Sequence, residues 1–494
     1  MNSQAKGEIM MQTKRIALLG NFIFAGLLVV ALFGALLWTV QSSLAVDRTV
    51  GTGGTYDTIL EAINDASSGD VIKVRGGEIF TESLVITKSL TLEGGYDSGF
   101  NSRDLDNKSV ISITTEERGI QIAGSAIDVT VDGFEIKGGV SEEDPGAGMY
   151  IVATGGSYIL ISDNFIHDNE ATKSGIGAAD TLGGGIRLDL TDSSADLIGN
   201  DIFSNTTDTS GGGVWLGLNQ NSDVDIISNT FRNNEAKICA GVGGGINQST
   251  LLVSENTLFN NMADSDGGGL YLNLSRGADV LVTGTKVISN DASTGSGLFA
   301  VLDHASYLQV AQSEIKRNVS DSQGGGFYLE VDGQSQVDLV HNDIISNTAA
   351  KSGGGIYVRG EDQPSVSVVD SFIAENMISA AGSTGAGLDV LLVMSGTFTL
   401  NNNQILSNTN AATGLNDGGG GVYAELSDFM TFEIKDNKII SNTAKEYGGI
   451  YFYASRNAAG AFERNNVQDN VARSEDYGGG YINLEDNVSM TFYD

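Results

Sequence analysis

A solenoid of short parallel strands, a parallel β-helix, is the fold class that three features of this sequence predict. They are internal repetition, apolar alternation inside each repeat, and two markers that stay in phase along the chain. The repeat is clearest at 353–376, which reads GGGIYV, a polar turn, SVSVVD, then SFIAEN. Its closing motif, Asn-x-apolar-x-x-Asn, recurs with a last Asn at Asn169, Asn205, Asn234, Asn261, Asn290, Asn318, Asn347, Asn376, Asn408, Asn442 and Asn470. The mean spacing is about 30 residues, a period that belongs to solenoids. A glycine motif ahead of each Asn keeps the same beat.

Within the unit, Ile356 and Val358, Val366 and Val368, then Ile373 take alternate positions; Leu270, Leu272 and Leu274 do the same elsewhere. Period two over short runs bounded by glycine and polar turns specifies strands. Two or three such strands per repeat cannot bury their apolar faces alone. Stacking the repeats about 4.8 Å apart closes one shared core. Asn suits the corners because it tolerates left-handed backbone angles, and its amide can bond to the Asn of the next coil. The glycines are expected at the opposite corner, where no Cβ fits.

The 494 residues include 66 Gly, two Pro and one Cys, with a formal net charge of −35. Length alone suggests three domains, but a solenoid grows by adding coils rather than cores. The negative charge excludes nucleic acid and an anionic membrane surface as partners. Acidic loops also serve simply to keep an extended protein in solution.

Lys14 and Arg15 precede the uncharged run Ile16 to Val40, followed by Ser43-Leu44-Ala45. That pattern predicts export, through either a cleaved signal peptide ending at Ala45 or an uncleaved N-terminal membrane anchor. The domain plan is therefore 1–45 signal or anchor, 46–140 N-terminal cap and first irregular coils, and 141–494 regular coils. The expected location is extracellular or at the cell surface, with membrane contact only through the N-terminal segment. A single cysteine, Cys239, rules out an intramolecular disulfide and reads as a small loop residue.

In the cap, Thr58-Ile59-Leu60-Glu61 fits a capping box, and Ile59, Leu60, Ile63 and Ala66 form one face of a short helix ending near Gly69. Such a helix can cover the exposed edge of the first coil. Strands are expected at 71–74, 84–86, 90–92, 110–113, 120–122 and 129–136, with a surface loop at 94–108.

The segment AINDASSGDVIKVRGGEIF at 62–80, with VITKSLTLEGG at 85–95, resembles the opening of right-handed parallel β-helix proteins of the pectate-lyase-like class. The GGG-apolar and apolar-x-x-Asn motifs are similar to the repeats of chlamydial polymorphic membrane proteins, which are adhesins. The resemblance covers almost all of 46–494 and implies a right-handed solenoid. Many functions share that scaffold. Those adhesins carry a C-terminal membrane barrel that has no counterpart here, and residues 490–494 stop part-way through a coil.

The enzymes of the class imply clustered aspartates with calcium and a basic residue, or paired aspartates beside a histidine. His167, His304 and His341 lie in different coils, and no Asp-Asp pair occurs in the sequence. Asp189, Glu330 and Glu425 take similar outward positions in coils that are not adjacent, and Arg187 and Arg359 are isolated. No catalytic residue, cofactor or metal ligand is therefore assigned, and calcium has no supporting pattern.

An aromatic register stands out instead. Two residues after the last glycine of each motif stand Tyr150, Trp215, Tyr271, Phe299, Tyr328, Tyr357, Tyr423 and Tyr451, with Arg187, Asn247, Asp389 and Ile482 in the other four coils. Alternation points these side chains outward as a stripe. It reads either as a stabilising ladder or as a platform for sugar rings or a partner protein. A second candidate surface comes from the link between Asn and glycine, which lengthens after Asn169, Asn234, Asn376, Asn408 and Asn470. The expected function is an exported, adhesin-like or structural binding module for an extracellular glycan or cell-surface protein. A polysaccharide lyase or glycoside hydrolase is the alternative.

Overall fold

The computed structural model describes residues 45–142, 145–172, 182–414, 417–474 and 477–493. The chain divides into Met1–Val46 and Asp47–Asp494, and the account below concerns the second unit. The predicted signal or anchor lies outside the described residues, apart from Ala45. Among the described residues no helix is long and apolar enough to cross a membrane.

The second unit is all-β, with four parallel sheets wound side by side. Each strand pairs with its counterpart one coil on. The coil that defines the repeat contains Ile356–Gly360, Ser365–Val369, Phe372–Ala374 and Met377–Ile378. Four strands per coil replace the two or three expected. The extra strand is only two residues long, too short for its alternation to register. Among the described residues the sheets hold 14, 16, 14 and 12 strands in that order, and they are called here the glycine-led, long, middle and short sheets.

Alternation decides which side chains enter the core. Ile356, Val358, Val368, Ile373 and Ile378 are fully buried, and Val366 nearly so. One apolar cluster runs from Val50 to Ala458 through the interior. Burying each Val, Ile or Leu contributes about 1.5–3 kcal/mol, so every coil depends on its neighbours to close its own core.

The closing asparagines form one unbroken column. At all ten steps from Asn169 to Asn470, Nδ2 donates to Oδ1 of the Asn in the next coil at 2.9–3.1 Å. The same Nδ2 donates to a backbone carbonyl of the preceding coil, as Asn318 does to Val287 at 3.0 Å. The asparagines do not themselves take the left-handed conformation. That falls to the residue before each, from Asp168 to Asp469, with φ between 52° and 59°. Asn is required for its amide, and the strain is displaced onto a neighbour of variable identity. A second column, one strand earlier, starts Asn164, Asn200, Asn229, Asn256 and then admits Thr285, Ser313 and Ser371.

The glycines abut this amide column instead of sitting opposite it. A Cβ on Gly355 would lie 2.5 Å from the Gly387 carbonyl and 2.9 Å from Asn376 Nδ2. Backbone thus packs directly on the ladder, and only glycine leaves room.

The N-terminal coils are less regular. A strand at Asp47–Val50, unanticipated from sequence, pairs with Asp70–Arg75. The helix spans Ile59–Asp65 and stops before Gly69, with Ala66 as its C-cap. Thr58 Oγ1 accepts from the Glu61 N–H at 3.2 Å, while Glu82 accepts from Ile59 N at 2.7 Å and Leu60 N at 2.9 Å. The helix packs on Asp47–Val50, Asp70–Arg75 and Leu84–Ile86, over the first coil. The strand expected at 129–136 is two strands, Asp128–Asp132 and Phe134–Lys137, because Gly133 at φ 80° turns the chain between sheets. The strand at 90–92 runs on to Tyr96, shortening the loop expected from residue 94.

Candidate functional site

Outward-facing residues of the glycine-led sheet build the most differentiated surface among the described residues. The register through the aromatic position reads Tyr150, Arg187, Trp215, Gly243, Tyr271, Phe299, Tyr328, Tyr357, Asp389, Tyr423, Tyr451, Tyr481. Two assignments made from sequence change. Gly243, not Asn247, and Tyr481, not Ile482, occupy the column. In those coils the glycine run continues into the strand, so counting from its last glycine overshoots. Gly241 holds the place next to the ladder, its virtual Cβ 2.3 Å from the Gly269 carbonyl.

The rings stack. Trp215 to Tyr271 is 6.1 Å between centroids, Tyr271 to Phe299 5.2 Å, Phe299 to Tyr328 4.9 Å, and Tyr328 to Tyr357 5.2 Å. After Asp389 the column resumes with Tyr423 to Tyr451 at 4.6 Å and Tyr451 to Tyr481 at 5.8 Å. Phe299, Tyr328 and Tyr357 form a buried apolar cluster of their own, separate from the interior core. Their faces are taken up by each other. Burial pushes the Tyr357 hydroxyl up to about 12, with Asp389 adding to the effect.

Two residues further along these strands, the register reads Val301, Glu330, Arg359, Leu391, Glu425, Tyr453, Asn483. A groove of about 790 Å³ follows this column and is lined by Glu330, Arg359, Leu391, Glu425 and Tyr453, together with Tyr357. Arg359 is not isolated, since it pairs with Glu330 on the adjacent strand. Arg187 likewise pairs with Asp189 two residues on. Tyr423 donates to Glu425 and Tyr453 to Glu485, the latter at 3.1 Å. Glu330 and Glu425 are separated by two intervening strands, as their sequence positions implied.

Asp389 is the exception in the aromatic column. It is fully buried, accepts from Thr384 Oγ1, and leaves its Oδ1 without a hydrogen bond. Burial pushes its carboxyl up to about 7 against the pull of Thr384 and Ser352, with Glu425 adding to the rise.

On the long sheet, Asp196 and Asp225 stand in register on adjacent strands. No sequence motif could show this, because 29 positions separate them and only the stacking register joins them. Tyr158 donates to Asp196 at 2.7 Å. Burial, then Asp223 and Asp196, push Asp225 up to about 6.

The histidines remain apart. His167 stacks on Phe203 at 4.4 Å and meets Asp168 and Glu135; His304 pairs with Asp303, and His341 with Asp370. Cys239 is fully buried, and burial raises its thiol far above the ordinary value. Among the described residues no group of three or more His, Cys, Asp or Glu side chains is placed to hold a metal ion. Parts of the lengthened links, 173–181, 415–416 and 475–476, lie outside the described residues.

Stacked parallel coils, an internal amide ladder and an outer aromatic column define a right-handed parallel β-helix protein. The family described as a right handed beta helix region matches residues 101–292 and 297–493, and the chain belongs to it. Similar solved structures include the A-module of the Azotobacter vinelandii mannuronan C-5 epimerase AlgE6. It is 9% identical, over 87% of this chain and 93% of that one, at a TM-score of 0.24. Another is the PL6-family alginate lyase AlyGC, 10% identical over 90% of this chain and 89% of that one, at a TM-score of 0.20. Superposition this weak carries no functional weight. No curated protein matches the chain.

Proposed function

We propose that the protein is an exported, adhesin-like β-helix module that binds an extracellular glycan along the outer face of its glycine-led sheet. The observation that carries this reading is the groove lined by Glu330, Tyr357, Arg359, Leu391, Glu425 and Tyr453. Concave sites that mix apolar and aromatic surface with a few placed polar groups suit small-molecule and sugar ligands. The aromatic column contributes at its margin. Faces of Tyr271, Phe299 and Tyr328 are covered by stacking and Tyr357 is itself buried, so the half-buried Tyr453, which lines the groove, supplies the contact with sugar rings. Export rests on the segment Met1–Ala45. The test is a glycan array on the exported chain beside its Tyr453→Ser variant. Weakened binding with an unchanged circular dichroism spectrum is expected, and unaltered binding would reject the assignment.

Asp196 and Asp225 favour a second reading, cleavage of a polysaccharide. Neighbouring carboxylates of different proton affinity are the equipment of acid–base catalysis on glycosidic bonds. Burial raises the proton affinity of Asp225 to about 6, and Asp196, its neighbour in register, accepts a hydrogen bond from Tyr158. A screen of polysaccharides for reducing-end release decides it. Activity lost in Asp225→Asn supports cleavage, and no release from any substrate leaves the binding module.

A further inference from the structure

The groove on the glycine-led sheet carries an unbalanced charge. Its wall includes Asp332, Glu361, Glu425, Glu485 and Asp486 in addition to Glu330, against two guanidinium groups, Arg359 and Arg456. Both cations are already engaged, Arg359 by Glu330 and Arg456 by Asp428. Among the described residues no Lys, Arg or His lies within ion-pair distance of those five carboxylates. Two of them are held by neutral donors, Glu425 by the Tyr423 hydroxyl and Glu485 by Tyr453 and Asn483. Asp332 accepts from the Glu361 N–H. Burial, with Glu330 and Glu361 close by, raises its proton affinity despite that bond and the nearby Arg359. A cleft whose carboxylates outnumber its guanidinium groups repels anionic polysaccharides and concentrates cations.

We propose that this groove selects an aminopolysaccharide with free, protonated amino groups. The proposal rests on the glycan-binding reading above and adds the ligand's charge. Leu391 and Tyr453 stand on either side of Glu425 in the register, so apolar contacts flank its carboxylate. A sugar polymer answers both, with ring faces for Leu391 and Tyr453 and an amine for Glu425. Glu425 and the strand that ends beside Glu485 lie two coils apart, about 9–10 Å at the strand spacing. A ligand lying along the stack therefore meets carboxylates on several coils, at Glu330, Glu361, Glu425 and Glu485, rather than at a single point.

The test uses the chain from residue 46 onward, which contains every described strand, at a mildly acidic pH that favours protonated sugar amines. A glucosamine hexamer, its fully N-acetylated counterpart and an oligolysine of equal length are compared by calorimetry at low and high salt. The glucosamine hexamer is expected to bind at least about tenfold more tightly than the acetylated one, and to weaken with salt. The variant Glu425→Gln/Glu485→Gln should lose roughly tenfold of that affinity, as two part-exposed charge pairs are removed. Its circular dichroism spectrum should not change. Equal binding of the two hexamers overturns the charge selection and leaves the glycan reading standing. Tighter binding of oligolysine overturns it in favour of a basic peptide. Failure of both hexamers, together with an empty glycan array, removes the glycan reading as well.

Discussion

The amide column inside the solenoid and the aromatic column outside it both recur once per coil, yet one is unbroken and the other is not. From Asn169 to Asn470 every step is Asn. Between Tyr150 and Tyr481 the outer column accepts Arg187, Gly243 and Asp389. The difference follows from what each position loses on substitution. An inner amide serves three neighbours at once, and removing it strands buried donors and acceptors at about 1–3 kcal/mol each. An outer ring that is lost leaves a gap open to water, which re-solvates its surroundings. Inner positions are thus fixed by the fold, and outer positions are available to evolve a site.

That contrast can be broken by deletion first. Removing 348–376, one whole turn, reconnects Asn347 to Met377 in register and should leave a soluble, folded protein by circular dichroism and gel filtration. Removing only 365–376 takes out part of a turn and should abolish folding. Equal tolerance of the two would refute the coil as the unit of structure.

Next in size, Asn318→Ala leaves the Asn290 amide without its acceptor and the Val287 carbonyl without its donor. A loss of about 3–5 kcal/mol is expected in denaturant unfolding. Tyr328→Ser should cost less, about 2 kcal/mol, because it removes two stacking contacts from a cluster that lies outside the interior core. If the ring substitution proves the more damaging, the distinction between inner and outer columns fails.

A pH-dependent effect, absent in acid, sharpens the comparison at Asp389. Its carboxyl titrates near 7 in the fold against an ordinary 3.8. A raised acid stabilises the fold while it holds its proton, so this contribution is full below about pH 4 and is lost as pH rises through 7. Asp389→Asn, which mimics the protonated form, should therefore match the parent in acid and exceed it increasingly as pH rises from about 4 to 7. A pH-independent difference in melting temperature would show that Asp389 does not titrate in this window.

Much of this architecture was legible beforehand. The repeat length, the alternation of Ile356 and Val358, and the recurring Asn gave the solenoid and the direction of each side chain, because period and chemistry are local properties. The stripe was readable for the same reason, and misplaced at Asn247 and Ile482 only because glycine runs hide their own register. Short strands such as Met377–Ile378 were not legible, since two residues cannot display a period.

What the chain encodes by itself is therefore the coil: strands from alternation, corners from glycine and asparagine, a shared core from repetition. Which residues meet across coils was decided by stacking. Arg359 reaches Glu330, Asp225 stands beside Asp196, and the groove takes its wall from residues spread over 330–486. These neighbours are separated by one or more whole turns of chain, and the register between stacked parallel strands brings them together.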